Sequence, residues 1–193
     1  ERVAGIKTKK SYPLIRSRFE IFLITQNLLQ IVDVLTRQKY PDIRIFSLLD
    51  KTLDLLEKLS KNEERGYLKS LLLRQAFILK LLAFIGFKPE LFYCIICKER
   101  IKPQSHYFSR EKGGLLCQKH GAKDFKLETE SVKILRLFLK SRLENILKIK
   151  IKNKIILETQ EVINNYLEFH SEKRLKIYGL NSKKKQVESQ RRG

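Results

Sequence analysis

No methionine and no tryptophan occur among the 193 residues, and cysteine, histidine and proline are scarce, at three, three and four. Each shortage narrows the reading. A chain that begins at Glu1 and holds no methionine is expected to be preceded by further residues in its translated product. Three cysteines cannot all pair with one another, so a complete disulfide framework is excluded. Long uninterrupted apolar runs are missing too. The longest, Leu71 to Phe87, is broken by Arg74, Gln75 and Lys80, which marks a buried helix and not a membrane span. No basic start, short apolar run and small-residue cleavage site follow one another, so no secretory signal is read. A glycine-rich phosphate-cradling loop is absent, and so is any internal repeat.

Acidic residues are also in short supply. Lys and Arg number 41 against 21 Asp and Glu, a formal charge of +20. Such a field attracts polyanions, nucleic acid first, although anionic membranes and acidic proteins would feel it as well. A chain of this length can bury one full core and a small satellite.

What cysteine there is, is ordered. Cys94-x2-Cys97 is followed, after nineteen residues, by Cys117-x2-His120. Each pair can present two ligands from one tight turn, and two facing turns complete the closed tetrahedral Cys3His shell of a structural zinc site. The expectation is therefore Zn2+ held by Cys94, Cys97, Cys117 and His120. His106 offers a spare nitrogen, but four ligands already fill the shell, so it is expected to be a surface strand residue. Thiols laid out as ligands fit a reducing compartment.

Periodicity places most of the remainder in helices, giving a mainly α fold: a helical bundle with an inserted zinc-bound β-hairpin. Residues 1–13 read as a connector, 14–91 as the first part of the bundle, 92–122 as the zinc-binding insert and 123–178 as the second part. Residues 179–193, with Lys183-Lys184-Lys185 and Arg191-Arg192, read as a disordered basic tail. Pro13 suits a first helical turn. Phe22, Leu23, Leu29, Val32 and Leu35 predict a helix from Phe19 to about Arg37. Asp42 caps a second, striped by Ile43, Phe46, Leu49, Leu53, Leu56 and Leu59. Tyr67 to Phe84 is apolar on nearly every side, as a central helix is, and Gly86 and Pro89 end it just before the first cysteine pair. His106-Tyr107-Phe108-Ser109 and Leu115-Leu116 around Gly113-Gly114 predict the hairpin. A helix is expected from Glu128 through Leu143 and Ile146, and another from about Thr159 to His170. Between them Ile149, Ile151 and Ile155 alternate with Lys148, Lys150, Lys152 and Lys154, which fits either a strand or a helix end with a connector.

The run Gly86-Phe87-Lys88-Pro89-Glu90-Leu91 followed by Cys94-Ile95-Ile96-Cys97, then Phe108-Ser109 and Gly113-Gly114-Leu115-Leu116-Cys117, resembles the C-terminal region of the bacterial RecO family of DNA repair proteins. Tyr166-Leu167-Glu168-Phe169-His170 with Arg174-Leu175-Lys176 is similar to that family's last helix, so the resemblance runs from about Ile15 to Lys176. It implies a recombination mediator with no catalytic residues. Such a mediator binds single- and double-stranded DNA, anneals strands, partners RecR, meets the tail of single-strand-binding protein and assists RecA loading indirectly. The implied location is the bacterial cytoplasm, at the nucleoid, with no membrane contact. The family's N-terminal OB-fold has no counterpart in these residues, which puts autonomous annealing in doubt. Its second knuckle often ends in cysteine where His120 stands here.

DNA contact is expected first through phosphates, which need only a positive group on a reaching side chain. The candidates are Lys7, Lys9, Lys10, Arg16 and Arg18; Lys98, Arg100, Lys102, Arg110, Lys112 and Lys119; and the row Lys148, Lys150, Lys152 and Lys154. Tyr107 and Phe108 are candidates to stack on bases, with covering of the hairpin as the favoured alternative for Phe108. A groove between apolar helices rimmed by Lys and Arg would suit an acidic tail ending in apolar residues, but the sequence does not place it. Two other classes are weighed beside the mediator: a zinc-containing RNA-binding or regulatory protein, and a metal-dependent nuclease. The nuclease needs a further His, Asp or Asn cluster, and only His106 and His170 remain outside the knuckles.

Overall fold

The computed structural model describes residues 7–36, 41–102 and 106–171. In chain order they form α1 (Pro13–Ser17), α2 (Phe19–Leu35), α3 (Ile43–Leu59) and α4 (Glu63–Phe84), then β1 (His106–Ser109), β2 (Gly114–Leu116), α5 (Gln118–Gly121) and β3 (Phe125–Leu127). The chain closes with α6 (Thr129–Lys140), α7 (Leu143–Ile146) and α8 (Asn153–His170).

α4 is the axle, and its composition explains why. Leu71, Leu73, Ala76, Phe77, Ile78, Leu81 and Leu82 are all buried, on every side of the helix. An all-round apolar helix is stable only inside a bundle, and α2, α3, α6, α7 and α8 all pack on this one. Each fully buried Leu or Phe contributes about 1.5–3 kcal/mol of transfer free energy, so the core of α4 outweighs any single surface contact. The three polar residues that interrupt it are tied to neighbours. Arg74 donates to Asn27 Oδ1 on α2 at 2.8 Å and to Asn164 Oδ1 on α8 at 3.1 Å. The Gln75 amide reaches the Ile156 carbonyl at 3.1 Å and accepts from Thr159 Oγ1 at 2.7 Å. Lys80 Nζ donates to the Leu139 carbonyl at 3.1 Å. These bonds have direction, so they fix how α2, α6 and α8 lie on α4, which hydrophobic burial alone does not.

Helix ends follow local chemistry. The Asp42 side chain accepts from the Arg44 amide at 2.8 Å and caps α3. Gly86 at φ 99 ends α4, with the Phe87 amide donating back to the Leu82 carbonyl at 2.8 Å, the reversal that glycine permits without a Cβ penalty. The cap of α1 comes from far along the chain: Glu57 of α3 accepts the amides of Leu14 and Ile15 at 3.0 and 2.9 Å.

Three expectations need correction, and one open alternative is settled. The helix read to about Arg37 ends at Leu35, and 37–40 lie outside the described residues. The helix read from Glu128 through Ile146 breaks at Ser141, whose extended backbone separates α6 from α7. The last helix begins at Asn153, six residues before the expected start. The alternating segment is no strand, so the connector reading holds: Ile149 and Ile151 pack on the core, while Lys148, Lys150 and Lys152 face solvent. An extended connector lying on a core alternates in burial as a strand does, which is why period alone did not separate them. The hairpin is present and gains a third strand, since β1 pairs antiparallel with both β2 and β3 in the order β2-β1-β3. The basic tail, 179–193, lies outside the described residues.

Candidate metal centre

The sheet is what brings the two cysteine pairs together. Cys117 follows directly from β2 and leads into α5, where the amides of His120 and Gly121 both donate to the Cys117 carbonyl at 3.0 Å. The first pair is laid along the same strand. Leu115 donates to the Glu90 carbonyl at 2.8 Å, and Ile95 donates to the Leu115 carbonyl at 3.0 Å. The turn then closes through the Lys98 amide to the Cys94 carbonyl at 2.9 Å, with Lys98 at φ 59. Two glycines permit this closeness. A Cβ on Gly114 would meet the Glu90 carbonyl oxygen at 2.5 Å, and one on Gly121 would meet the Tyr107 Cβ at 2.4 Å.

The ligand atoms of Cys94, Cys97, Cys117 and His120 lie within 4.8 Å of one another. Cys97 Sγ is 3.9 Å from Cys117 Sγ, and His120 Nδ1 is 3.7 Å from Cys94 Sγ and 3.3 Å from Cys117 Sγ. A tetrahedral ion with bonds of about 2.3 Å to sulfur and about 2.0 Å to nitrogen needs edges of about 3.8 Å between sulfurs and about 3.5 Å from sulfur to nitrogen. The donor set thus has the dimensions of a metal shell and could hold a metal ion. Its electrostatics point the same way. Burial opposes the Cys94 thiolate, but the amides of Cys117, Cys97 and Ile96 and the His120 ring offset it and hold the pKa at about 6. At Cys97 the Glu99 amide lowers the pKa, while burial and the facing sulfurs of Cys94 and Cys117 push it up overall. Three sulfurs that repel one another as thiolates are the arrangement a cation relieves.

His106 stands apart. It is buried and not on the surface as expected, with Nε2 at 3.3 Å from Thr129 Oγ1. Among the described residues no second His, Cys, Asp and Glu cluster of metal-binding size is found.

Of the phosphate candidates, Lys7, Lys9, Arg16, Lys98, Arg100, Lys102, Arg110, Lys112, Lys119, Lys148, Lys150 and Lys152 are exposed, and Arg18 is half-buried at the α1–α2 break. Two are engaged by carboxylates: Lys10 bridges Asp50 and Asp54 at 2.8 and 2.9 Å, and Lys154 pairs with Glu128. Arg110 lies 6.0 Å over the Phe169 ring. Phe108 is buried edge-on against Tyr166, covering the hairpin, and Tyr107 presses on Gly121.

A recess of about 400 Å³ opens where α3, the end of α4 and α7 meet, with Leu48, Phe84 and Leu143 lining it and Arg44, Lys51, Lys80 and Arg142, with one carboxylate, Glu144, around it. Lys80 is half-buried there, and burial lowers its pKa. Among the described residues no carboxylate pairs with Lys51, Lys80 or Arg142, whereas Arg44 is held by Asp42 at 2.6 Å. These cations come from three helices far apart in sequence, so no spacing rule could have gathered them.

A family model described as Recombination protein O C terminal matches residues 16–178. The chain is 33% identical over 146 residues to a DNA repair protein RecO of Alkaliphilus metalliredigens, covering 74% of this chain and 56% of that relative. It is 27% identical over 175 residues to a DNA repair protein RecO of Dehalococcoides mccartyi, covering 90% and 66%. To a DNA repair protein RecO of Desulforamulus reducens it is 24% identical over 179 residues, covering 91% and 66%. The chain therefore spans between 56% and 66% of the length of these relatives.

Proposed function

This chain belongs to the RecO family through its C-terminal region, and from that premise we propose that it acts in DNA repair as a non-catalytic recombination mediator. The observation that carries the reading is the cationic apolar recess between α3, α4 and α7. A half-buried ammonium whose partner among the described residues is a carbonyl, as at Lys80, is stabilised by an incoming carboxylate, because an opposite charge offsets its desolvation. The apolar floor takes one or two aliphatic or aromatic side chains, and cations at the rim take acidic residues. Those are the features of an acidic tail ending in apolar residues, and the tail of single-strand-binding protein is the occupant that fits the family.

The remaining roles are read around that contact. Zn2+ at Cys94, Cys97, Cys117 and His120 serves as a staple, since three thiolates and an imidazole suit it and four protein ligands leave no open position for substrate. The insert, residues 92–122, is thereby held on the bundle. DNA phosphates are contacted by cations among Lys9, Arg16, Lys98, Arg100, Arg110, Lys112, Lys148, Lys150 and Lys152, together with the half-buried Arg18, while Lys10 and Lys154 act only after release from their carboxylates. Among the described residues no helix is long and apolar enough to cross a membrane. RecR and, indirectly, RecA are the further partners of a mediator that works on coated strands in the bacterial cytoplasm.

The test uses labelled single-stranded DNA coated with single-strand-binding protein that has or lacks its acidic tail. The chain should associate with the tailed complex more tightly than with the tailless one, and Lys51→Glu with Arg142→Glu should remove that preference. Added Mg2+ or Mn2+ should yield no cleavage. Equal association with both complexes, or strand scission, would overturn the reading.

A further inference from the structure

The first knuckle carries a short ladder in which Tyr93 bridges Arg100 antiparallel and the Ile101 amide donates to the Phe92 carbonyl at 2.9 Å. Residues directly opposite in such a ladder stand on the same face, so Tyr93 and Arg100 project together, and Phe92 projects the other way. Phe92 is accounted for: Arg136 and Lys140 of α6 lie over its ring at 4.8 and 4.6 Å. Tyr93 is not. It is 49% exposed, and among the described residues its ring enters no aromatic or cation–π contact and its hydroxyl has no hydrogen-bond partner.

Its surroundings are mostly cationic. Lys98, Arg100 and Lys102 flank it and are exposed, against the carboxylates of Glu99 between them and of Glu90, which accepts from the Phe92 and Tyr93 amides at 2.7 and 3.2 Å. Arg136 and Lys140 add charge from the other face of the ladder; burial first and Arg100 second lower the Arg136 pKa, against Glu90, which raises it. Ile96, 46% exposed at the tip of the same turn, extends the apolar surface beside the ring. An uncovered aromatic face amid cations is poorly suited to a protein core and well suited to a polyanion that has its own π-faces. Duplex DNA offers the charge but keeps its bases stacked internally. An unpaired strand offers both.

We propose that the Tyr93–Arg100 face of the first metal knuckle is a contact for single-stranded DNA, with the Tyr93 ring stacking on an unpaired base while Lys98, Arg100 and Lys102 hold the phosphates on either side. The proposal rests on the reading of the chain as a DNA-binding mediator, and it places the stacking residue at Tyr93 and not at Tyr107 or Phe108, which the fold has used in packing. The metal's part is indirect: by closing the turn from Cys94 to Cys97 it fixes the ladder on which Tyr93 is displayed.

The chain holds no tryptophan, so Tyr93→Trp introduces a single indole at the proposed contact. Oligo(dT), and an abasic oligomer of the same length and charge, are titrated into this variant and into Tyr93→Ala, with metal content checked in each. Indole emission should be quenched by oligo(dT) and little affected by the abasic strand. Tyr93→Ala should lose about 5- to 150-fold in affinity for oligo(dT), the range that stacking of one base spans, and much less for the abasic strand. Unchanged indole emission at saturating oligo(dT), or an alanine variant that binds as the parent does, would overturn the contact and leave the mediator reading standing. Equal losses for both strands would overturn stacking. If the parent chain bound no DNA at any salt concentration, the contact and the DNA-binding part of the reading would fall together.

Discussion

Gly121 stands against the side chain of Tyr107 so closely that a Cβ on the glycine would lie 2.4 Å from the tyrosine Cβ and 2.7 Å from its Cγ. The contact sits one residue beyond His120, so it joins the second knuckle to the strand that carries the sheet. Gly121→Ala should force α5 away from β1 and shift the His120 ring out of line with the three sulfurs. Zinc affinity should fall by tenfold or more, consistent with overpacking costs of about 1–3 kcal/mol, while helical circular dichroism stays near that of the parent. Tyr107→Ala in the same chain should restore part of the affinity, because it opens the space the new methyl needs. A Gly121→Ala protein that binds zinc as the parent does would mean the second knuckle is not held by this contact.

Removing a ligand is a harsher change. Incubated with zinc, the parent should take up one ion per chain and Cys94→Ser only a small fraction, with the insert unfolding locally in the variant, since a closed structural shell contributes folding free energy directly. Metal analysis with hydrogen exchange across residues 92–122 reads both effects. Full metal content in the variant would contradict the ligand set.

His170 closes α8 inside a ring of aromatics, stacked on Phe87 at 4.1 Å and edge-on to Tyr166 at 4.5 Å, with Nε2 buried and without a partner among the described residues. Burial lowers its pKa below the ordinary value. The unfolded chain therefore takes up a proton near the ordinary imidazole pKa of about 6.5 while the folded one resists it, so the unfolded state binds more protons in between. Stability from this residue is complete above that pH and is lost as pH falls towards the folded value. Between about pH 7.5 and about pH 5.5 the Tm of the parent should drop more than that of His170→Phe, which keeps the stack and cannot titrate. Both proteins carry the same knuckles, so metal release cancels in the difference. Parallel losses would show that His170 protonates without cost.

Arg74 is fully buried, with no carboxylate paired to it among the described residues, and burial lowers its pKa to about 10. Asn27 and Asn164 supply its bonds, while Nη2 has none among the described residues. Asn27→Ala should destabilise the protein by about 1–3 kcal/mol or more in urea unfolding, because a charged donor is left unsatisfied in a dry core. A loss under about 0.5 kcal/mol would mean that water replaces the asparagine.

The parts of this molecule that were legible in the sequence are those set by local periodicity or by ligand spacing. Asp42 as a cap, the all-round apolar α4 and the two knuckles all follow from residues within a turn or two of one another. β3 was missed because Phe125-Lys126-Leu127 is too short to show a period, and it becomes a strand only because β1 has a free edge. The early start of α8 was missed because Ile155 belongs to two patterns at once, the alternation before it and the helix after it. At the functional surface, charge was legible but availability was not. Lys10 and Lys154 read like any other lysine, and only the fold sets them against Asp50, Asp54 and Glu128. The exposure of Tyr93 and the burial of Phe108 likewise depend on which side of a ladder faces the core.

The most direct measurement is a calorimetric titration of the zinc-loaded chain with the isolated acidic tail of single-strand-binding protein, at low and high salt. The account predicts one peptide per chain with micromolar affinity, weakened by salt. Binding should be lost when the terminal apolar residues of the peptide are removed, and weakened by Arg142→Glu, more at low salt than at high, because this reverses an exposed charge at the rim of the recess. No heat at low salt, or binding that is indifferent both to Arg142→Glu and to the loss of the apolar end, would contradict it.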